Sequence, residues 1–335
     1  MVVILLATLL VAEGVLRVFQ HLSPSFVFSD GSYNRFRGRP FAPDYDFTLN
    51  SRGFKDVERP TEKPPGAYRI LAIGDSFVFG VVPYRHNFTT VLERVLNERA
   101  PAGRPARFEV VNMGIPETGP REYLSILIDE GLAFAPDLLI VCVFVGNDLS
   151  PVRKAAHERS HVASLVVALF QARHFPGLIV HGLGVYHDDA PSFSPDKYME
   201  LAVARSRIYV EDNPGLRRGL PDALASLTRI RDICRERRIE LLVVGIPDEV
   251  QVDADVQREV IRRLGIEPSR IDFTAPNRAL ADELRQRGIR YLDLLLPFRG
   301  AAATRLYKPR DSHWNIAGNR RAAEAIAAHI SVPSR

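Results

Sequence analysis

With 335 residues, 46% hydrophobic and 25% charged, the chain has the composition of a folded globular protein and not of a disordered or fibrous one. Its 44 Lys and Arg are dispersed among 40 Asp and Glu, which leaves a net charge of +4 and no long basic run, so a nucleic-acid partner is not expected. The two cysteines, Cys142 in an apolar run and Cys234 in a helical one, read as small buried hydrophobes rather than a disulfide or a metal pair.

Residues 2–12 (VVILLATLLVA) are apolar almost without break, and VLRVF follows at 15–19 after Glu13 and Gly14. A membrane span needs about 20 residues, so a crossing would have to run through Phe19 and carry Glu13 and Arg17, an i,i+4 pair able to neutralise itself near the interface. Segment 1–22 is expected to be a hydrophobic helix that anchors the protein to a membrane; a cleaved signal is the alternative, although no A-x-A site or basic leader marks one. Arg35, Arg37 and Arg39 follow it and weigh weakly against export on the positive-inside rule.

Residues 23–66, with Pro24, Pro40, Pro43, Pro60, Pro64 and Pro65, read as an irregular packed lead-in that ends in RPTEKPPG. From 67 the pattern alternates. Strands are expected at 69–75 (RILAIGD), 107–113 (RFEVVNM), 137–145 (DLLIVCVFV), 239–246 (IELLVVGI) and 289–294 (IRYLDL), and helices at 87–100, 120–133, 221–238, 276–288 and 315–330. The run at 137–145 is apolar on both faces, as in a central parallel strand. The alternation implies an α/β doubly wound parallel sheet of about five strands over 67–331, which would bind ligands at the carboxyl ends of its strands. Residues 150–218 interrupt it as a helical insertion: a lid over the site, or a surface for a partner or membrane. His157, His161, His174, His181 and His187 fall in or near this insertion without the spacing of a zinc site.

Polar residues gather where the apolar runs stop: Gly74-Asp75-Ser76, Asn112-Met113-Gly114 and Gly146-Asn147-Asp148, with Asp311-Ser312-His313-Trp314 ahead of the last helix. A serine hydroxyl becomes a nucleophile once a base takes its proton, and histidine titrates near neutrality, so it can accept that proton and return it. A nearby carboxylate can take the other imidazole N–H and fix the tautomer. The N–H groups of Ser76 and Gly114 and the Asn147 amide could supply an oxyanion hole. Each piece alone has an ordinary reading: Gly-Asp-Ser, Gly114 and Gly146-Asn147-Asp148 as turns, Asp311 as a helix cap, Trp314 as a packing anchor, Asp75 and Asp148 as loop-fixing groups.

Taken in order, ILAIGDSFVFG, VVNMGIP, VFVGNDL and RDSHWNIAG resemble the four conserved blocks of the SGNH/GDSL hydrolases, and together they span residues 70 to 318. The resemblance implies a flavodoxin-like α/β/α sandwich, Ser76 as nucleophile, His313 as base, and Ser76, Gly114 and Asn147 as oxyanion donors. Most members place the acid three residues before the histidine, where this chain has Arg310; here the acid is Asp311, at minus two. That Asp-x-His-Trp arrangement looks more like SGNH-type proteins that acetylate or deacetylate bacterial exopolysaccharides. The expectation is a serine esterase or deacetylase acting on O-acyl, chiefly O-acetyl, esters of a small molecule or glycan through an acyl-Ser76 intermediate, with no metal or cofactor. A glycan substrate of that kind would place the domain on the extracytoplasmic, periplasmic side. The alternatives are an O-acetyltransferase using the same Ser–His site, and a non-catalytic membrane-anchored binding protein.

Overall fold

The computed structural model describes residues 2–22, 37–99, 107–150, 160–174, 182, 184–301 and 304–330. Helix α1 (Val2–Leu22) precedes two short antiparallel strands, β1 (Pro43–Asp44) and β2 (Phe47–Thr48). The alternation follows as β3 (Ala67–Gly74), α2 (Ser76–Phe79), α3 (Phe88–Arg99), β4 (Arg107–Gly114), α4 (Pro120–Asp129) and β5 (Leu138–Phe144). Helices α5 (His161–His174) and α6 (Pro195–Ser206) fill the interruption, and α7 (Pro214–Arg237) leads into β6 (Glu240–Ile246). The chain closes with α8 (Glu249–Val252), α9 (Ala254–Leu264), α10 (Ala275–Gln286), β7 (Arg290–Asp293), α11 (Leu295–Arg299) and α12 (Ile316–His329).

All five strands from β3 to β7 that carry the alternation pair parallel, in the order β4-β3-β5-β6-β7. The chain leaves β3 in one direction to form β4 and returns to β3's other side to form β5. The crevice between the carboxyl ends of β3 and β5 is therefore the switch point where this kind of sheet binds ligands. Side chains alternate between two apolar cores. Leu71, Ile73, Val141 and Val143 pack on the face covered by α4 and α7, and Ile70, Ala72, Ile140 and Cys142 on the face covered by α3 and α12. Every residue of β5 is buried, as its apolar run demands. Cys142 and Cys234 are both buried and unpaired.

Helix α7 starts at Pro214 rather than 221, because Asn213 accepts the N–H groups of Gly215 and Leu216 (2.7 and 3.0 Å) and Pro214 occupies the first turn. Pro221 is absorbed inside the helix. Helices α8 and α9 occupy a stretch in which no helix is expected; Asp253 starts α9 by accepting from Asp255 N and Val256 N.

Helix α1 presents Ile4, Leu5, Leu6, Leu9, Leu10, Val15, Val18 and Phe19 to its surroundings. Glu13 and Arg17 interrupt it and pair as expected, at 2.8 Å. Glu13 also caps α5, accepting from Ser160 Oγ (2.8 Å) and from the N–H groups of His161 and Val162 (both 3.0 Å). Burial raises the Glu13 pKa, but these donors outweigh it and bring the value down to about 2. His161 is buried beside Glu13. His157 and His181 lie outside the described residues. Among the described residues no helix is long and apolar enough to cross a membrane.

The edge strand β4 would present open N–H groups, a liability in any sheet. Side chains cover them. Asn97 Oδ1 accepts from Phe108 N (3.0 Å), Glu93 Oε2 from Val110 N (2.7 Å) and Asp56 Oδ2 from Asn112 N (3.0 Å). Asp56 also accepts from Tyr84 Oη (2.9 Å) and Arg59 Nε (3.1 Å), so the lead-in is built into the sheet edge. Replacing Asp56 with Ala removes the acceptor of these three donors and of the Val57 N–H (2.8 Å) at a buried position. A loss of about 3 kcal/mol in urea unfolding is expected, and a change below about 0.5 kcal/mol, the range of an ordinary surface substitution, refutes this role.

Candidate active site

The turn from β3 into α2 is held by Asp75, whose Oδ1 accepts from Phe77 N (3.0 Å) while its carbonyl takes the N–H groups of Val78 and Phe79. This places Ser76 as the first residue of α2, where its N–H has no acceptor within the helix. Glycines let α2 lie directly on the strand ends. A Cβ on Gly74 would come within 2.4 Å of Val78 Cγ2, and one on Gly114 within 2.1 Å of Phe79 N, a backbone atom. Gly114 ends β4 opposite Gly74, so it is neither a turn residue nor simply a source of an amide: it is where a strand and a helix touch backbone to backbone.

The other half of the site is the loop ahead of α12. Tyr307 and Trp314 form a β-bridge, Lys308 N–H bonds His313 O (2.9 Å), and Asn315 N–H bonds Leu306 O (3.0 Å). Between these ties Arg310 and Ser312 adopt φ of +51° and +70°, left-handed backbone that costs a non-glycine residue about 1 kcal/mol or more. Trp314, buried, drives the loop into the core against Phe77, Phe88 and Phe298, at centroid distances of 5.0, 6.0 and 5.1 Å. Phe77 also lies 5.1 Å from the His313 ring.

These constraints bring His313 Nε2 to 2.8 Å from Ser76 Oγ, across 237 positions of sequence, and His313 Nδ1 to 2.6 Å from Asp311 Oδ1. Burial pushes the Asp311 pKa up. The His313 hydrogen bond and charge, a hydrogen bond from Ser192 and the charge of Lys308 outweigh it and hold the carboxyl well below its usual range. An ionised Asp311 can only accept, so Nδ1 carries the ring proton and Nε2 is free to accept from Ser76.

The β5 end supplies Gly146-Asn147-Asp148. Asp148 Oδ2 accepts from Tyr123 Oη (2.8 Å) and Phe144 N (3.0 Å), which fixes the turn that presents Asn147, whose side chain is exposed. The Gly114 N–H donates to Asn112 Oδ1 (2.9 Å), so among the three expected oxyanion donors this one is committed within its own strand. The Asn112 amide in turn bonds Val78 O (2.9 Å). Of the residues that follow Gly114, Thr118 is buried and bonds Ile115 O (2.6 Å), while Glu117 and Arg121 are exposed.

Sequence reasoning passes over Ser192, Asp188, Lys308 and Tyr123. The first two are surface polar residues of the insertion, and their contacts to the histidine loop span more than 100 residues of chain. Among the described residues no group of three or more His, Cys, Asp or Glu gathers in a way that could hold a metal ion.

Burial raises Asp75 to about 6, opposed by the Phe77 N–H and the nearby His313 and reinforced by Glu117. Burial, with the charge of Asp75, also raises Asp148 well above the carboxylate range despite its two donors. The folded protein therefore binds a proton at Asp75 that the unfolded chain, near 3.8, has released. Stability falls as pH rises between these values, by up to about 1.4 kcal/mol per pH unit for one proton. Asp75→Asn, which keeps an acceptor for Phe77 N, is expected to flatten this slope in urea titrations at pH 4, 5 and 6. Equal slopes in variant and wild type contradict it.

Residues 207–333 match the family model of an SGNH hydrolase-like domain, that of the acetyltransferase AlgX. No curated protein matches the chain. Among solved structures it is similar to an acetyl xylan esterase at 13% identity, covering 78% of this chain and 100% of that one, with a TM-score of 0.45. It is also similar to a catalytic mutant of an acetylxylan esterase from Geobacillus stearothermophilus at 14% identity, covering 80% and 97%, with a TM-score of 0.43. The family match takes in RDSHWNIAG, the last of the four sequence blocks, and the parallel α/β sheet is the architecture that those blocks imply.

Proposed function

We propose that the protein is a serine esterase of the SGNH type that acts on O-acyl esters through an acyl-Ser76 intermediate. The observation that carries this reading is the continuous line of hydrogen bonds from Ser76 Oγ through His313 to a buried, ionised Asp311. As Ser76 Oγ attacks the carbonyl carbon, its proton passes to His313 Nε2, and Asp311 stabilises the imidazolium across Nδ1–H. The oxyanion forms at the N-terminus of α2, where the Ser76 N–H is open, with the Asn147 amide as second donor. Gly114 N–H joins by sharing or exchanging its bond to Asn112. On collapse, His313 returns the proton to the departing alcohol and leaves Ser76 acylated. Water then attacks with its proton going to His313, and the acid departs as Ser76 recovers its hydrogen.

The acyl group proposed is acetyl and the alcohol a glycan hydroxyl, on the strength of the Asp-x-His-Trp arrangement and the acetyltransferase family matched at 207–333. The same match favours a second reading in which a sugar hydroxyl replaces water as acceptor and the acetyl group is transferred. Together with α5, the exposed apolar surface of α1 is proposed to seat the protein on a membrane, with Glu13 neutralised by Arg17 and by the amides it caps. An extracytoplasmic glycan ester would require the domain to face the periplasmic side.

Ser76→Ala is expected to reduce hydrolysis of an activated acetyl ester on the order of 10⁴-fold or more, and Asn147→Ala to reduce kcat by about 10²–10³, both without loss of folding. A wild-type protein that hydrolyses no ester and takes no fluorophosphonate label at Ser76 favours a binding protein. Adding a glycan acceptor with free hydroxyls to the activated acetyl ester separates the enzymatic readings: transfer to the glycan at the expense of free acetate identifies the transferase. Deleting residues 2–22 is expected to move the protein from the membrane pellet to the supernatant of a bacterial host, and protease added to spheroplasts should cut the domain if it faces the periplasm. Wild-type protein found wholly in the supernatant removes the membrane proposal.

A further inference from the structure

The triad as read above ends at Asp311, yet only one of that carboxylate's oxygens faces His313. The other, Oδ2, is met by the hydroxyl of Ser192, which lies in the insertion 119 residues earlier. Asp311 is buried, so an oxygen left without a donor there would be costly. The contact is part of a longer strap. Ser192 N–H and Phe193 N–H bond the carbonyls of Pro309, just before the left-handed turn, and Arg310, its first residue (3.3 and 3.2 Å). Asp188 Oδ1 accepts from Ile316 N at the start of α12 (2.9 Å) and from Tyr186 Oη (2.6 Å). Lys308 Nζ stands 4.5 Å over the Tyr186 ring and bonds His187 O (3.4 Å). The strap thus grips the histidine loop before, within and after its two left-handed residues.

We propose that Ser192 is a positioning residue of the catalytic centre, a fourth member of the relay that holds the Asp311 carboxylate in the plane of the His313 ring. The inference rests on the reading of Ser76, His313 and Asp311 as a catalytic triad. The hydroxyl donates to Oδ2, Oδ1 remains for the imidazole, and the carboxylate cannot rotate about its Cβ–Cγ bond without losing one partner. The same bond makes the insertion a condition of catalysis: a displaced strap releases the acid even while Ser76 and His313 stay in place.

The test compares Ser192→Ala with Ser192→Thr, which keeps the hydroxyl, in the full chain. With an activated acetyl ester, Ser192→Ala is expected to lower kcat about 10- to 100-fold, the range for a lost hydrogen bond to a charged group, with KM unchanged. Ser192→Thr should restore most of the loss. Independently of turnover, the downfield proton resonance of His313 Nδ1–H should move or vanish in the alanine variant and return in the threonine one. An unchanged kcat in Ser192→Ala overturns the proposal, as does a fall in kcat with the resonance unmoved, which would mean general loosening of the strap. If wild-type protein shows no ester turnover and no labelling of Ser76, the esterase reading fails, while the resonance still decides whether Ser192 orients the Asp311–His313 pair.

Discussion

A carboxylate kept ionised inside a protein is expensive, and the bond between Asp311 and His313 exists only because the surrounding backbone leaves no alternative. The loop that carries both residues is pinned at its ends by the Tyr307–Trp314 bridge and the bond from Lys308 N to His313 O. It then turns through two left-handed residues that would relax if those ties were cut. Trp314 adds the apolar drive, since its burial among Phe77, Phe88 and Phe298 is what seats the loop beside α2. The residue that anchors the histidine loop thus packs on Phe77, the neighbour of Ser76. Both halves of the Ser–His pair share one aromatic cluster, and their separation of 2.8 Å is a packing result as much as a hydrogen bond.

The buried carboxyls of Asp75, Asp148 and Asp311 hold the loops around Ser76 and His313, and their partners set them apart. Asp311 meets an imidazole, a hydroxyl and a lysine charge and is held ionised. Asp75 meets a single backbone donor through its side chain, and Asp148 one backbone and one phenol donor; both are pushed towards the protonated form. One fixed negative charge beside the imidazole stabilises the imidazolium formed during attack. The divergence of these environments assigns one acid to the chemistry and two to holding the turns that present Ser76 and Asn147.

The parts of this design legible in the sequence are those whose signal is local or whose residue type is rare in its role. Leu138–Phe144 reads as a buried strand because nothing in it could face water, and Ser76 and His313 read as partners because a strand-end serine and a late histidine fall within four ordered blocks. What escapes is long-range. Ser192 looks like any surface serine until its hydroxyl is seen on Asp311, and Glu13 looks like a flaw in an apolar helix until it caps α5. Asn213 has a capping signature, but Pro221 masks the helix that begins there. Gly114 is the opposite case: the residue draws attention as an amide donor, whereas the contact that most requires a glycine is the backbone of Phe79.

Segments outside the repeating sheet therefore determine the site as firmly as the sheet does. On the nucleophile side, Lys55 of the lead-in is fully buried, bonds the carbonyls of Gly80 and Val82 just beyond α2 (2.8 and 2.6 Å) and pairs with Asp44. Burial lowers its pKa, opposed by the charge and hydrogen bond of Asp44. On the acid side, the strap from Tyr186 to Phe193 holds the histidine loop, and Tyr45, next to Asp44, meets Tyr186 edge-on at 5.2 Å. The lead-in and the insertion thus touch each other across the top of the site while each grips a different half of the Ser–His pair. A parallel sheet alone can deliver a serine and a histidine to the same edge. Fixing them to within a hydrogen bond takes two further segments, one bonded to the backbone just beyond α2 and one to the histidine loop.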